Sequence, residues 1–80
     1  MAVELTMPKF GLTMSEGNIV RWLKNEGDPV QENESVLEIE TEKITVEIPA
    51  PVTGRLQKIV TPAGTVVPVG GVMAVIDPDK

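Results

Sequence analysis

The sequence predicts an all-β fold, a sandwich or barrel of about eight short strands. Three observations lead to this prediction. Seven glycines and seven prolines lie at short intervals in 80 residues and leave hardly any window long enough for a three-turn helix. Between them, β-branched and other apolar residues alternate with polar ones, which is the period of a half-buried strand. The chain also repeats its own pattern at an offset of 37 residues, which is typical of two copies of one unit.

The alternating segments follow one another along the chain. The first covers Val3–Met7. The best candidate for a helix is Ile19–Glu26, but Gly17 and Gly27 bracket it, and Trp22 among β-branched residues favours a strand. The remaining strand-like segments are 37–42, 44–48, 56–60, 66–67 and 72–76.

The internal repeat pairs the two halves of the chain. At the offset of 37, the aligned pairs are Gly17/Gly54, Ile19/Leu56, Trp22/Ile59, Leu23/Val60, Gly27/Gly64 and Val30/Val67. After one deletion, Val36, Leu37 and Ile39 fall on Val72, Met73 and Val75, and residues 3–8 match residues 44–49. We therefore expect two four-strand units related by a two-fold axis. The two chain ends should lie side by side at one end, and the tip at residues 42–43 should lie at the other.

The acidic segment around this tip is predicted to be a hairpin. When Glu42 and Lys43 form a two-residue loop, the apolar residues of the segments 37–42 and 44–48 lie on the same face of the hairpin. The cross-strand pairs are then Leu37 with Ile48, Glu38 with Glu47, and Ile39 with Val46. The pair of glutamates places like charges opposite each other, which costs stability. The loop contains no Asn, Asp or Gly, so the prediction rests on strand phase and on the repeat.

Composition and charge exclude several function classes. The chain has no His, Cys or Tyr and only two Ser, which rules out catalytic triads, thiol chemistry, zinc sites and imidazole catalysis. A net charge of −5 argues against nucleic-acid binding, and no apolar run is long enough for a membrane helix. A chain this small buries only about 60% of its unfolded surface, so a self-contained enzyme is not expected.

Lys43 stands out by its surroundings. Eight of the twelve acids lie between Glu26 and Glu47, and Lys43 is the only base in that segment. A lysine that acts as a nucleophile must lose its proton readily, whereas acidic neighbours stabilise the ammonium form. Composition alone therefore predicts a solvated surface lysine that another protein could contact.

Five segments resemble the lipoyl domains of 2-oxo acid dehydrogenase complexes. Residues 7–11 and 14–20, MPKFG and MSEGNIV, are similar to the opening of that family. Residues 22–30, WLKNEGDPV, resemble its W-x-x-x-x-G-D-x-V stretch. Residues 38–43, EIETEK, resemble its E-x-E-T-D-K lipoylation site, and residues 48–54, IPAPVTG, its I-x-A/S-P-x-x-G run. The likeness implies one domain over residues 1–80, a flattened β-barrel of two four-stranded antiparallel sheets with quasi-two-fold symmetry, expected to be monomeric.

The resemblance also implies a site. Lys43 would bear lipoic acid in amide linkage, and Glu40 and Gly54 match positions read by lipoylating enzymes. Thr41 completes the motif, while Glu42 replaces the usual Asp and Ile44 replaces a small Ala or Val. The loop Phe10–Leu12–Thr13 is expected to shape the surface beside the lysine that partner proteins contact. The 12–14 stretch resembles acetoin-type and some pyruvate-type acyltransferases.

The function implied is transport between active sites. A thiamine-dependent decarboxylase would load an acyl group onto the lipoyl arm, an acyltransferase catalytic domain would pass it to coenzyme A, and dihydrolipoamide dehydrogenase would reoxidise the arm. A lipoate ligase or lipoyl transferase would attach the group. Because the chain lacks cysteine and a signal-peptide pattern, we expect the cytoplasm of a bacterium or archaeon, with the mitochondrial matrix as an alternative.

Other functions remain open at this point. A biotin-carrier domain shares the fold, but its family flanks the lysine with Met on both sides, whereas Glu42 and Ile44 flank it here. The lipoylated carrier of glycine cleavage is longer and has additional helices. A metal site at Glu38, Glu40 and Glu42 lacks the spacing and glycine of a calcium loop. An interaction module without a prosthetic group is the last alternative.

Overall fold

A computed structural model of the chain describes residues 2–12 and 14–78. In these ranges the chain forms eight strands and no helix, so it contains no helix that could span a membrane. The strands are β1 (Val3–Thr6), β2 (Glu16–Trp22), β3 (Pro29–Val30), β4 (Ser35–Glu40), β5 (Thr45–Pro49), β6 (Gly54–Ile59), β7 (Val66–Pro68) and β8 (Val72–Asp77). The segment after Gly17 is a strand, as Trp22 and its β-branched neighbours predict.

The strands pair antiparallel in two sheets of four, in the orders β1-β8-β6-β3 and β5-β4-β2-β7. Alternate side chains of both sheets meet in one apolar core between them. Its most deeply buried large side chains are Met7, Ile19, Val30, Val36, Leu37, Ile39, Leu56, Met73 and Ile76. In the described part of the chain no polar or charged residue is buried. The predicted sandwich of two four-stranded antiparallel sheets is confirmed.

Backbone hydrogen bonds show the internal symmetry directly. Two hydrogen bonds in one half of the chain have an equivalent in the other half, with each residue number shifted by 37. They are Ile19 N to Thr65 O and Leu56 N to Asp28 O, both 2.8 Å, and Gly64 N to Ile19 O and Gly27 N to Leu56 O, both 2.7 Å. The two glycines also share a positive φ, +94° and +92°, which side chains rarely adopt. The repeat in the sequence is therefore a repeat of structure.

A β-bulge recurs in both halves and explains an odd spacing in the sequence. The register shifts between Ile19 and Arg21 in β2, and between Leu56 and Lys58 in β6. An extra residue in a strand reverses the inside–outside alternation beyond it. Trp22, three residues after Ile19, therefore packs against the same core.

Two segments of the sequence alignment are wrong. No deletion is present in the second half, because Leu23 N bonds to Val36 O as Val60 N bonds to Met73 O. The offset of 37 thus continues through β4 and β8, and Val36 corresponds to Met73 rather than to Val72.

The N-terminal strand corresponds to β5 at an offset of 43 rather than 41. Leu5 pairs with Ala74 as Ile48 pairs with Leu37, so Leu5 matches Ile48 rather than Val46. A shift of two residues preserves the alternation, so strand phase alone does not reveal it.

The first and last strands lie where the symmetry places them. Val3 pairs with Ile76, so β1 and β8 are neighbours in the same way as β5 and β4 are. The connection between β4 and β5 has its symmetry-related position at the gap between the two chain ends. Lys43 therefore lies at the end of the sandwich opposite to Val3 and Ile76.

The like-charge pair of the hairpin is present and has partners. Glu38 lies opposite Glu47 in the β4–β5 register. The Arg21 guanidinium lies 2.8 Å from one Glu38 carboxylate oxygen, and the Ser35 hydroxyl donates to Glu47 at 2.7 Å. These contacts offset the repulsion between the two carboxylates.

Candidate functional site

The hairpin tip has the predicted register. Leu37, Glu38, Ile39 and Glu40 face Ile48, Glu47, Val46 and Thr45 in turn. Beyond the last pair, Thr41 N donates to Ile44 O at 2.8 Å and closes a loop that contains only Glu42 and Lys43. The regular strand β4 ends at Glu40, two residues before the end of the predicted segment 37–42, and β5 begins at Thr45, one residue after the start of the predicted segment 44–48.

The tip does not use a glycine-type turn. Among the described residues, Asn33 is the one non-glycine residue with positive φ, so neither Glu42 nor Lys43 adopts the left-handed conformation. The Thr41 hydroxyl oxygen instead accepts from Lys43 N at 3.4 Å and from Ile44 N at 3.3 Å. The absence of Asn-Gly chemistry at the tip is thus compensated by a side chain next to it.

Lys43 projects from this tip into solvent. Its side chain is exposed and forms no ion pair or hydrogen bond within the ranges the structure describes, where the ion pairs are Arg21–Glu38 and Lys24–Glu34. The side chains on either side of it, Glu42 and Ile44, are exposed as well. The ε-amino group is accessible from outside the domain without breaking any contact.

An open depression of about 620 Å³ lies beside the lysine. It is lined by Phe10, Gly11, Met14, Ser15, Glu16, Gly17, Asn18, Glu40, Thr41, Glu42, Lys43, Ile44 and Val66. Three of these apolar side chains are considerably exposed: Phe10 by 44%, Ile44 by 49% and Val66 by 54%. The surface around Lys43 therefore combines carboxylates with solvent-facing apolar groups.

The loop after β1 reaches this depression. Phe10 N donates to the Met14 sulfur at 3.2 Å, and Met14 N donates to Gly11 O at 3.1 Å, so the loop folds back on itself. Leu12 is 95% exposed at its outer side and does not line the depression. Thr13, predicted to belong to the same surface, lies outside the described residues.

Gly54 is not part of the hairpin tip. At the base of the β4–β5 hairpin, Glu32 N donates to the Thr53 hydroxyl at 3.0 Å, and Gly54 follows directly. Pro49 at the end of β5 is six residues from Lys43, and a strand rises by about 3.3 Å per residue, so the base of the hairpin lies about 20 Å from the tip. A Cβ on Gly54 would overlap the Asp77 carbonyl oxygen, so close backbone packing requires glycine here. Its role in recognition by a modifying enzyme stays a prediction.

The carboxylates of β4 do not form a metal site. No group of three acidic side chains in residues 2–12 and 14–78 is placed to hold a metal ion. Glu38 is paired with Arg21. Glu40 lies one strand position from the tip and lines the depression instead.

Comparison with known proteins assigns the fold and the hairpin to a family. The Biotin_lipoyl family model, described as "Biotin-requiring enzyme", matches residues 3–76. The chain belongs to the biotin/lipoyl family. The match includes every strand of the sandwich except the last residue of β8, and it includes the whole hairpin that carries Lys43.

Two bacterial relatives of this biotin/lipoyl domain are acyltransferase components. The chain is 44% identical over 72 residues to the dihydrolipoyllysine-residue acetyltransferase component of the acetoin cleaving system of Pseudomonas putida. It is 47% identical over 77 residues to the corresponding component of the pyruvate dehydrogenase complex of Rickettsia bellii. These matches cover 90% and 95% of the chain but only 20% and 18% of the relatives. The chain thus spans about a fifth of the length of the relatives it matches.

Solved structures agree with the fold. The lipoyl domain of the 2-oxoglutarate dehydrogenase complex from Azotobacter vinelandii superimposes with a TM-score of 0.77 at 27% identity, covering 94% of this chain and 95% of that one. A single-chain, multi-domain long-chain acyl-CoA carboxylase contains the same fold, with a TM-score of 0.82 at 19% identity, covering 99% of this chain and 7% of that one. The biotin/lipoyl fold therefore occurs both in a dehydrogenase complex and in an acyl-CoA carboxylase.

The tip fits a covalently attached prosthetic group of the kind this family carries. An acyl group on the Lys43 nitrogen would replace no existing contact, because the described residues make none to its side chain. The exposed apolar surfaces of Phe10, Ile44 and Val66 lie next to the attachment point. Residues 42–44 are all exposed, so a modifying enzyme can reach the lysine from outside.

Sequence reasoning did not predict seven of the residues that line this depression: Gly11, Met14, Ser15, Glu16, Gly17, Asn18 and Val66. Asn18 pairs with Glu40 on one side and with Val66 on the other, so β2 alone separates β7 from the hairpin. The repeat indicates which strands are equivalent, but it does not give their order in the sheet. Met14 belongs to a segment quoted for the family resemblance, and that segment is the one signal that could have singled it out.

Proposed function

We propose that Lys43 bears lipoic acid in amide linkage and that the domain is the lipoyl carrier of an acyltransferase component in a 2-oxo acid or acetoin dehydrogenase complex. The observation that carries the proposal is the exposed lysine at the two-residue tip of the β4–β5 hairpin, without an ion pair to any described residue, in a chain of the biotin/lipoyl family. The relatives at 44% and 47% identity, which are acetyltransferase components of acetoin and pyruvate systems, support this assignment.

The flanking residues favour lipoate over biotin. Biotin carriers resemble each other in having Met on both sides of the lysine, whereas this chain has Glu42 and Ile44. The resemblance of residues 38–43 to the lipoylation site points in the same direction. The likeness to the acyl-CoA carboxylase, at 19% identity, supports the fold alone.

The protein's contribution is placement and accessibility. Amide formation joins the Lys43 nitrogen to an activated lipoyl carboxyl group. The ammonium loses two protons and the acyl group loses its leaving group, which changes the net charge of the chain from −5 to −6. Once attached, the lipoyl group supplies a dithiolane that carries acyl groups and electrons. The hairpin holds its attachment point at one end of the sandwich, while Val3 and Ile76 lie at the other. Attachment of the domain through either chain end thus leaves Lys43 facing outward, and such tethering raises the effective concentration of the arm at its partners.

The partners follow from this role. We propose a thiamine-dependent decarboxylase, an acyltransferase catalytic domain and dihydrolipoamide dehydrogenase as the enzymes that meet the arm, and a lipoate ligase or lipoyl transferase as the modifying enzyme. The acidic and apolar surface formed by Glu40, Glu42, Ile44 and Phe10 is the contact surface we propose for them. A reducing compartment such as the bacterial cytoplasm is consistent with a chain that has no cysteine.

Intact mass measurement tests the proposal. The wild-type domain and the Lys43→Gln variant are incubated with lipoate, ATP and lipoate ligase, and in parallel with biotin, ATP and biotin ligase. We expect a lipoyl mass increment on the wild type only, and no biotin increment. An unchanged mass with active lipoate ligase overturns the proposal, and a biotin increment assigns the domain to the biotin carriers. The matched control is Lys58→Gln, because Lys58 is an exposed lysine on β6 and its loss should leave the increment in place.

A second experiment tests the importance of the tip position. One alanine inserted before Glu42 enlarges the loop and moves Lys43 out of its place beside Thr41. We expect this variant to fold but to gain no lipoyl increment. Full modification of the insertion variant would show that the sequence around the lysine suffices without its placement.

A further inference from the structure

The Thr41 side chain is less exposed than the tip that follows it. It is half-buried and lines the depression beside Lys43, whereas Glu42, Lys43 and Ile44 are exposed. A modifying enzyme that approaches Lys43 from outside therefore has more surface to contact on these three residues than on Thr41. The hydrogen bonds of Thr41 give it a second way to influence modification, through the conformation of the tip.

The hydroxyl of Thr41 uses its full hydrogen-bonding capacity at this point. A threonine hydroxyl has one donor and two acceptor sites. Its oxygen accepts from Lys43 N at 3.4 Å and from Ile44 N at 3.3 Å, and it donates to Ile44 O at 3.2 Å. Each bond is longer than the usual range for its type, which ends at about 3.0 Å for O–H···O and about 3.2 Å for N–H···O, but together they attach one side chain to three backbone groups of the loop.

These contacts are the ones that orient the tip. Two-residue hairpin loops usually contain Asn-Gly or Gly-X, because these residues adopt positive φ. The loop here contains no Asn or Gly, and neither Glu42 nor Lys43 has a positive φ. The Lys43 side chain has no hydrogen bond or ion pair in the described ranges, so the loop backbone alone determines the direction in which its Cα–Cβ bond leaves the tip. The backbone N–H of Lys43 has the Thr41 hydroxyl as its partner.

We propose that Thr41 is the positioning residue for modification of Lys43: its hydroxyl fixes the loop so that the Lys43 side chain leaves the tip in one direction, within reach of the modifying enzyme. The proposal rests on the proposed function, because it concerns the rate at which Lys43 is lipoylated. It assigns to Thr41 an indirect role, distinct from direct contact with the enzyme.

Valine and serine substitutions separate the hydroxyl from the rest of the side chain. Thr41→Val keeps the shape and removes the hydroxyl, and Thr41→Ser keeps the hydroxyl and removes the methyl group. Thr45→Val is the matched control, because Thr45 is an exposed threonine of the same hairpin with no side-chain hydrogen bond among the described residues. The measured quantities are kcat and KM of lipoate ligase for each domain, together with amide hydrogen exchange.

We expect kcat/KM to fall by about tenfold for Thr41→Val, mainly through kcat, which corresponds to about 1.4 kcal/mol, on the scale of one or two net hydrogen bonds. Thr41→Ser and Thr45→Val should stay within about twofold of the wild type. Amide exchange of Lys43 and Ile44 should accelerate in Thr41→Val alone, while that of Ile39 and Val46 stays protected.

Wild-type rates for Thr41→Val, or an equal loss for Thr41→Ser, would overturn the proposal. A loss of rate with unchanged exchange at Lys43 and Ile44 would also overturn it, because the hydroxyl would then be acting on the enzyme directly. If Thr41→Val unfolds below the assay temperature, the modification rate of Thr41→Ser and the amide exchange of Lys43 in the wild type test the proposal instead. Rapid exchange of the Lys43 amide in the wild type would contradict it. If the wild type itself gains no lipoyl group, the proposed function fails, while the exchange data still test the role of Thr41 in the loop.

Discussion

Substitution of Gly54 by alanine tests the close packing between β6 and β8, which are neighbours in one sheet. Gly54 begins β6 and lies against the end of β8. A Cβ added there would overlap the Asp77 carbonyl oxygen and would lie 2.8 Å from Pro78 Cα. Backbone atoms cannot rotate away as a side chain can, so relief of this overlap requires a shift of β8.

Its symmetry-related glycine provides the comparison. A Cβ on Gly17 would lie 2.9 Å from both the sulfur and the terminal methyl of Met7. A methionine side chain is flexible and can adjust, although Met7 is fully buried. The two glycines thus occupy equivalent positions but differ in what an added methyl group would meet.

The expected costs follow from these contacts. Overpacking in a closed core costs about 1–3 kcal/mol, and we assign about 3 kcal/mol to Gly54→Ala and about 1 kcal/mol to Gly17→Ala. For a domain of this size, 1 kcal/mol corresponds to about 4–8 °C in Tm, so Gly54→Ala should lower Tm by about 12–24 °C and Gly17→Ala by about 4–8 °C. Gly11→Ala is the control, because nothing lies within 4 Å of its added Cβ. It should stay within about 0.5 kcal/mol of the wild type.

Thermal unfolding followed by circular dichroism measures these shifts. A Tm of Gly54→Ala within about 2 °C of the wild type, a small fraction of a kcal/mol, would refute the packing explanation. Equal losses for Gly54→Ala and Gly17→Ala would refute the distinction between backbone and flexible side chain. Lipoylation of folded Gly54→Ala, well below its Tm, then separates the two roles of this glycine. A wild-type rate assigns Gly54 to packing, and loss of modification in a folded variant supports recognition by the modifying enzyme.

Three further predictions concern single contacts. Trp22→Phe removes the donor to the Thr61 carbonyl, which lies 2.8 Å from the indole nitrogen, and should cost about 1 kcal/mol in urea unfolding; no change would mean that water replaces the bond. Asn33 has a φ of +74°, so Asn33→Ala should cost about 1 kcal/mol while Asn33→Gly stays within about 0.5 kcal/mol, and equal stability of both variants would contradict this. The pKa of Glu34 is lowered by the hydrogen bond from Lys24 and then by that from Gln31 N, so its carboxylate stabilises the fold above the unfolded-state value near 4.5 and loses this effect as the pH falls through the lower folded value. The Tm difference between wild type and Glu34→Gln should therefore be largest at neutral pH and shrink below about pH 4; a difference that grows on acidification would contradict the sign.

The fold could be predicted well because its signals are local and occur twice. Alternation gives the strands, and the glycines and prolines give their limits. Register is less accessible: the match of Leu5 to Ile48 differs from the predicted one by two residues, a shift that leaves every side chain on the same face. Hydrogen bonding across the sheet, rather than phase, determines which of these registers occurs.

The functional site also has a part that the sequence predicts and a part that it does not. The tip at Glu42 and Lys43 follows from the meeting of two alternating segments, and the structure has the loop at these residues. The neighbours of the tip, Phe10 and Val66, come from distant parts of the chain and meet it only through strand order. No local pattern carries that order.

The sequence by itself thus determined an all-β sandwich with internal symmetry and an exposed lysine between two acidic strands, because these properties depend on period, phase and turn-forming residues. The tertiary structure alone decided that Thr41 supports the tip, that Gly54 packs against Asp77 at the opposite end, and that apolar groups surround Lys43. The physical reason is that hydrogen bonds and close contacts of these kinds join atoms whose proximity depends on strand order, register and turn geometry, which the alternation of residues leaves open.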